Sequence, residues 1–410
     1  MMKRGILAAL LALGPTTAFA FETVDTLPFP SSGTFPGWPG DRGAEPWSIY
    51  AYGGLMYDNN AFRRDTDEID DIVARYGFGG RYATRVYGRQ SVVLEAFGEY
   101  YDYNHLSEID HFGYGLRGDW LWELGNQASG NIGYVRRQRH ADLGEFQVER
   151  RAMGTTDLAF ADGGYRFLSD WRIFGALEYT RSSREGDEIG ALEGKTVRTA
   201  LTYRTPLGNV IGIDARATRG QAPFTDETTG AATSVHDFDE RVIGATLAYS
   251  LGTQLRIGGR AGYTTREYDD LPQRDFEGNT WRGGVDWLPT GKLVFRFETY
   301  HEPAPLTDLD SPFSIRTGAL FSASWAATYK LVFTASFLNE HRVNESDPVA
   351  AVLGTPVRDE TIRVWRFGVG WEVQRQWQLG AAIDFGDRTS NEVGRDYEYQ
   401  QVMLNARFTF

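Results

Sequence analysis

The chain ends in QQVMLNARFTF, Gln400 to Phe410, where every second residue is apolar: Val402, Leu404, Ala406, Phe408 and Phe410. Strict alternation over this length predicts a strand with one apolar and one polar face. A terminal strand with a free edge would template aggregation, so the edge needs a partner inside the fold. The same alternation recurs from Trp47 onward, at 47–57, 71–85, 90–103, 110–124, 127–139, 150–167, 171–182, 194–205 and 209–219. It continues at 238–251, 254–267, 277–288, 292–302, 313–326, 330–343, 360–373, 376–388 and 396–410. These segments amount to about 18 strands, with roughly 16 still possible.

Two patterns join the segments into one architecture. Tight connections, such as 125–126, 168–170, 206–208, 252–253, 289–291, 327–329 and 374–375, alternate with long polar ones at 58–70, 220–237, 268–276, 344–359 and 389–395. The 15 prolines fall outside the expected strand interiors, among them Pro206, Pro223, Pro272, Pro289, Pro303 and Pro348 in connections. Proline cannot donate a ladder hydrogen bond, so its avoidance fits strands paired on both sides. A closed barrel pairs every strand that way. A soluble sandwich also alternates, but it rarely sustains one short-turn, long-loop asymmetry over so many hairpins.

Composition agrees. The chain carries 21 Tyr, 25 Phe, 11 Trp and 47 Gly, yet no run is continuously apolar over the roughly 20 residues a membrane helix needs. Many amphipathic strands satisfy both facts. Trp47, Trp171, Trp287, Trp325 and Trp377 sit near the tight-turn ends, as in an interfacial aromatic girdle. The reading is all-β: a transmembrane antiparallel β-barrel over 47–410, with short periplasmic turns and long extracellular loops. An even strand count puts both termini on the periplasmic side.

The start of the chain reads as a secretory signal. Lys3 and Arg4 precede the apolar run Ile6 to Leu13, and Ala18-Phe19-Ala20 offers a small-x-small cleavage site, so 1–20 are expected to be removed. Residues 21–46 follow as a Pro/Gly-rich periplasmic lead-in, broken by Pro28, Pro30, Pro36, Pro39 and Pro46. This lead-in is either a flexible connection or a segment that fills the pore. The export route places the barrel in the outer membrane of a Gram-negative bacterium. Outer-membrane lipid, lipopolysaccharide and the barrel-assembly machinery are the expected partners. With no Cys, no disulfide supports the fold. The net charge of -13 argues against nucleic acid.

If the apolar half of each strand meets lipid, the other half lines a lumen. That rule sends inward Arg75, Arg81, Arg85, Arg117, Arg137, Arg198, Arg216, Arg256, Arg260, Arg282, Arg296, Arg316, Arg366 and Arg407. It adds Glu95, Glu99, Asp119, Asp157, Glu178, Asp214, Asp286, Glu298, Glu372 and Asp384. Arginine exceeds carboxylate in this set, although the chain is acidic overall. Cross-strand pairs of these groups would brace the barrel. An excess of arginine would also ease the passage of anions. A barrel of this strand number is wide enough for an aqueous channel.

Catalysis and metal binding fit poorly. The histidines, 105, 111, 140, 236, 301 and 341, fall at the external ends or in loops, and no Ser, His and acid stand in a triad-like arrangement. The acids of the first external loop, Asp65, Asp67, Glu68, Asp70 and Asp71, match no EF-hand spacing. No enzyme activity, cofactor or metal is expected.

Two stretches exceed generic barrel grammar. In GLMYDNNAFR, Asp58, Asn59, Asn60, Phe62 and Arg63 form an Asp/Asn-rich motif after the first strand. In WRGGVDWLPTGKLVFRFETYHEP, Trp287, Pro289, Thr290, Gly291 and Lys292 form the turn of a late hairpin. Together they resemble the EpsL-like outer-membrane β-barrel porins of exopolysaccharide export. The resemblance implies a passive conduit for a secreted, anionic polysaccharide, delivered by a separate periplasmic export partner. The alternatives are a diffusion porin for small anionic solutes and a plugged structural barrel. The third external connection, 140–149, is short for the pore-narrowing loop of a general porin. Phe410 resembles the terminal aromatic signal read by outer-membrane assembly machinery.

Overall fold

The computed structural model describes residues 46–140, 143, 151–185, 191–225, 232–270, 272, 275–304, 314–344 and 357–410. The expected signal, nearly all of the lead-in and most of the third external connection lie outside these residues.

The described residues form eighteen strands. They are β1 (Trp47–Asp58), β2 (Asp71–Tyr87), β3 (Gln90–Tyr103), β4 (His111–Leu124), β5 (Ala128–His140) and β6 (Met153–Arg166). Next come β7 (Trp171–Arg184), β8 (Leu192–Arg204), β9 (Val210–Thr225), β10 (Ala232–Leu251), β11 (Leu255–Tyr268) and β12 (Phe276–Thr290). The last six are β13 (Leu293–Pro303), β14 (Ser314–Ala326), β15 (Leu331–Asn344), β16 (Asp359–Glu372), β17 (Trp377–Ser390) and β18 (Tyr397–Thr409). Each pairs antiparallel with its neighbours in sequence, and β1 also pairs with β18, from Tyr50↔Thr409 to Asp58↔Gln401. The sheet therefore closes on itself. Strand β18 is the seam, and the Phe410 amide adds a 2.8 Å bond to the Ile49 carbonyl.

Alternation sorts side chains between two faces. On β8, Thr196, Arg198, Ala200 and Thr202 are buried, whereas Val197 between them is 55% exposed. The exposed row around the barrel is apolar, with Leu55, Phe78, Leu177, Ile213, Ile243 and Leu404 in it. An outward apolar face on a closed antiparallel barrel is the arrangement that crosses an outer membrane. On β13 to β17 that face carries a ring ladder, Phe297↔Phe321↔Phe337↔Trp365↔Phe385, each directly opposite the next. Cross-strand aromatic pairs of this kind stabilise a sheet.

Short turns join the strands at one end. Gly125 (φ 60°) and Gly252 (φ 63°) supply the left-handed residue that two of these hairpins need.

Proline behaves differently from expectation. Pro223 lies inside β9, opposite Val235 on β10, so much of the expected loop at 220–237 is strand. The reason is local. Ladder pairing of β9 with β8 stops at Gln221, so among the described residues Pro223 pairs on the β10 side only and owes no ladder bond on the other. Pro289 lies near the end of β12, where the register shifts between Trp287 and Thr290. Pro303 closes β13.

Candidate functional site

The inward face is the candidate site. Arg75, Arg81 and Arg85 on β2, Glu95 and Glu99 on β3, and Arg117 and Asp119 on β4 share the parity opposite the exposed apolar row. So do Arg137, Glu178, Arg198, Asp214, Arg216, Arg256, Arg260, Arg282, Asp286, Arg296, Glu298, Arg316, Arg366, Glu372, Asp384 and Arg407. Asp157 does not. It stands outward between the buried, inward Thr156 and Leu158 on β6. There it accepts a bond from the outward Tyr134 hydroxyl and lies 3.3 Å from Arg136. The parity of β6 is set by its buried Leu158 and Phe160, which the single acid could not reveal.

The inward charges are largely paired. Arg75 reaches Glu99 through Nε at 2.9 Å, and the Tyr52 hydroxyl donates to the same carboxylate at 2.8 Å. Arg81 pairs with Glu95 at 3.0 Å, and Arg117 with Asp119 at 2.5 Å. Arg296 meets Asp286 at 2.7 Å, and Arg366 donates from Nε to Asp384 at 2.7 Å. Arg282 bridges Glu298 and Glu302. Arg407 stacks on Tyr50 with its guanidinium 3.9 Å from the ring centre. Forked guanidinium donors suit planar carboxylates, which explains why the wall uses arginine. The only lysines are Lys3, Lys195, Lys292 and Lys330. Of these, Lys195 alternates outward beside buried Thr196, and Lys292 and Lys330 sit in short turns.

The same parity rule places further charged residues on the inward face. Glu240 on β10 joins Arg216 at 2.7 Å and Arg266 at 2.6 Å. Glu360, Arg388, Glu340 and Arg342 belong to the inward face as well. Alternation within their strands was the available signal.

Aromatic rings on this face lie across glycines of the next strand. Tyr50 and Tyr52 oppose Gly79 and Gly77, Phe97 opposes Gly115, and Phe160 opposes Gly133. Phe238 opposes Gly220, Tyr300 opposes Gly318, and Tyr399 opposes Gly386. In each pair a Cβ on the glycine would run into the ring. The rings thus lie along the wall rather than across the interior. Phe97, Val135, Leu158 and Phe160 form an apolar patch among them.

The two sequence motifs serve as structural joints. The Asn59 amide and side chain pair with the Gln400 carbonyl (3.2 Å) and amide (2.6 Å). The fully buried Asn60 donates from Nδ2 to the Arg64 carbonyl (2.8 Å) and the Glu398 carbonyl (2.9 Å), and its Oδ1 accepts from the Arg64 amide (2.9 Å). Asp58 accepts from Gln401 at 2.7 Å and pairs with Arg63 at 2.9 Å, while Arg63 stacks on Tyr399. Burial opposes the Arg63 charge, and Asp58 more than offsets this, so the Arg63 pKa is raised. Phe62 packs with Ala61, Leu106 and Ile109. The motif therefore ties the first external loop to the seam strand β18. Of the loop acids, Asp71 is buried, and its carboxylate accepts the His105 and Leu106 amides at 3.0–3.1 Å. In the second motif Trp287 stacks outward on Phe295, and the Thr290 hydroxyl accepts the Lys292 amide at 3.3 Å. Pro289 and Gly291 complete the reversal between β12 and β13.

Residues 223–410 match the family described as "Putative beta-barrel porin 2", which is under half of the chain. No curated protein matches. Among solved structures, the chain resembles OccK2 (OpdF) of Pseudomonas aeruginosa at 10% identity and TM-score 0.51, over 89% of this chain and 97% of that one. A BenF-like porin from Pseudomonas fluorescens Pf-5 matches at 10% identity and TM-score 0.51, over 89% and 99%. OccK2 in complex with glucuronate matches at 8% identity and TM-score 0.50, over 89% and 98%. The likeness to these structures shows a common barrel fold. The matching family and the BenF-like neighbour are porins by name, not enzymes.

Proposed function

We propose that this chain is an outer-membrane porin whose passage favours small anionic solutes. The carrying observation is the segregation of charge. A chain of net charge -13 turns an arginine-rich face inward and an apolar one outward. Charged rings of this kind lower the barrier for ions of opposite sign. The apolar face would contact outer-membrane lipid and lipopolysaccharide. OccK2, a barrel of the same fold, has a complex with glucuronate, which makes a small carboxylate the first solute to try.

Support for a polysaccharide conduit comes from the two motifs alone. Both are engaged as joints of the fold, one at the seam and one in a turn. They therefore support the barrel and say little about cargo.

Reversal potentials of the purified protein in planar bilayers, under a KCl gradient, test the proposal. Chloride preference over potassium is expected, together with current carried by glucuronate. Potassium preference overturns the anion reading.

A further inference from the structure

Most charges on the inward wall have an ion-pair partner at close range. Arg198, midway along β8, does not. It is 6% exposed, its Nε has no hydrogen-bond partner, and no carboxylate lies within ion-pair distance of it among the described residues. Directly opposite it on β9 stands a second arginine, Arg216. Like charges set directly opposite each other on one face of a sheet are destabilising. A buried charge without a partner is costly as well.

The surroundings balance only part of the positive charge: Arg198, Arg216, Arg260 and Arg266 stand among Glu178, Asp214 and Glu240. Glu240 pairs with Arg216, but Arg266 shares it. Asp214, diagonal to Arg198 across the β8–β9 ladder, lies 3.5 Å from Arg260. Glu178 acts on Arg198 electrostatically without a direct bond. The Arg216 Nε is buried and unpartnered too. The residue opposite Arg198 on its other side is Ala176, packed with Phe174 and Ala200, and the Thr196 and Thr218 hydroxyls bond to each other at 2.9 Å beside the pair. Unmatched guanidinium donors and like charges thus meet on β8 and β9, beside two buried carboxylate oxygens, Glu178 Oε1 and Asp214 Oδ1, that also lack hydrogen-bond partners.

We infer that Arg198 and Arg216 form a discrete binding site for one small carboxylate on the barrel wall. The bound anion supplies the acceptor that Arg198 lacks and relieves its repulsion with Arg216. Forked donors from adjacent strands fit a planar carboxylate better than a spherical ion. The site rests on the reading of the protein as an anion porin but requires more than charge preference: saturable binding at one place.

Calorimetric titration of glucuronate into the detergent-solubilised barrel tests it, alongside bilayer selectivity. The wild-type protein should bind at one saturable site. Arg198→Gln should weaken that binding at least tenfold, and Arg198→Lys, which keeps the charge but loses the fork, should weaken it less. Lys330→Gln, in the short turn between β14 and β15, should leave it unchanged. The heat-dependent shift on a denaturing gel reports that each variant is folded. Equal affinity in the wild type and Arg198→Gln overturns the site, even where chloride preference survives. Absence of saturable binding by the wild type overturns it too. Potassium preference with Arg198-dependent binding would instead overturn the porin selectivity and leave the site standing.

Discussion

At the scale of single residues, the inward glycines are as informative as the charges. A strand interior normally loses stability at glycine. Here seven of them, Gly77, Gly79, Gly115, Gly133, Gly220, Gly318 and Gly386, make room for a ring from the next strand, a form of aromatic rescue. Gly133 is the sharpest case, because a side chain there would meet both the Phe160 ring and the Asp119 carboxylate. Gly133→Val should therefore destabilise the barrel by about 1–3 kcal/mol, the range for overpacking, and turn Phe160 toward the lumen. Denaturant unfolding in detergent measures the first effect, and a fall in single-channel conductance the second. Gly118 on the outward face is the control, since a Cβ there makes only ordinary contact with Leu94. Gly118→Ala should stay within about 0.5 kcal/mol of the parent. Equal costs at the two positions would refute the aromatic–glycine explanation. None of this was legible in the sequence, because a ring and its glycine are joined by cross-strand register and not by spacing along the chain.

At the scale of elements, the strands were legible because period-two alternation is a local signal. The closure of β18 onto β1 followed from the same signal, since a barrel leaves the last strand no other partner. The parity of the inward charges was legible for the same reason. It misled at Asp157, where an outward tyrosine and arginine satisfy an acid on the apolar face. The extension of β9 and β10 was hidden by Pro223, whose harmlessness depends on its pairing, among the described residues, on one side only, which sequence does not display. The role of the Asp58–Arg63 motif was hidden as well, for its partners lie at the other end of the chain. That role predicts a phenotype. Asn60→Ala removes donors to the Arg64 and Glu398 carbonyls and an acceptor for the Arg64 amide, all in a buried setting. Such a loss should cost about 2–3 kcal/mol. The folded band should convert to the unfolded one at a lower temperature on denaturing gels, with open-channel conductance unchanged. An unaltered transition would mean that the nine-residue register of β1 with β18 holds the seam without the loop.

At the scale of the whole molecule, the balance between the wall and the rest of the chain decides selectivity. The wall is mostly ion-paired, so the proposed anion preference would come from a modest local excess of arginine and not from bare positive charge. The remainder of the chain is acidic, and its charge acts on ions from farther away. Salt separates these contributions. The Debye length falls from roughly 10 Å at 0.1 M to roughly 3 Å at 1 M ionic strength. An 18-stranded barrel encloses a channel wider than the shorter of these lengths. At high salt, arginines on the wall cease to influence ions passing along the axis. The chloride-to-potassium permeability ratio should then decline toward that of free solution between 0.1 M and 1 M KCl. Glucuronate binding at Arg198 should weaken far less, because a buried, hydrogen-bonded pair is screened less than a distant one. Reversal potentials and titrations across the same salt series measure both. A permeability ratio that stays constant with salt would place selectivity in a narrow, desolvating constriction and not in the long-range field of the wall.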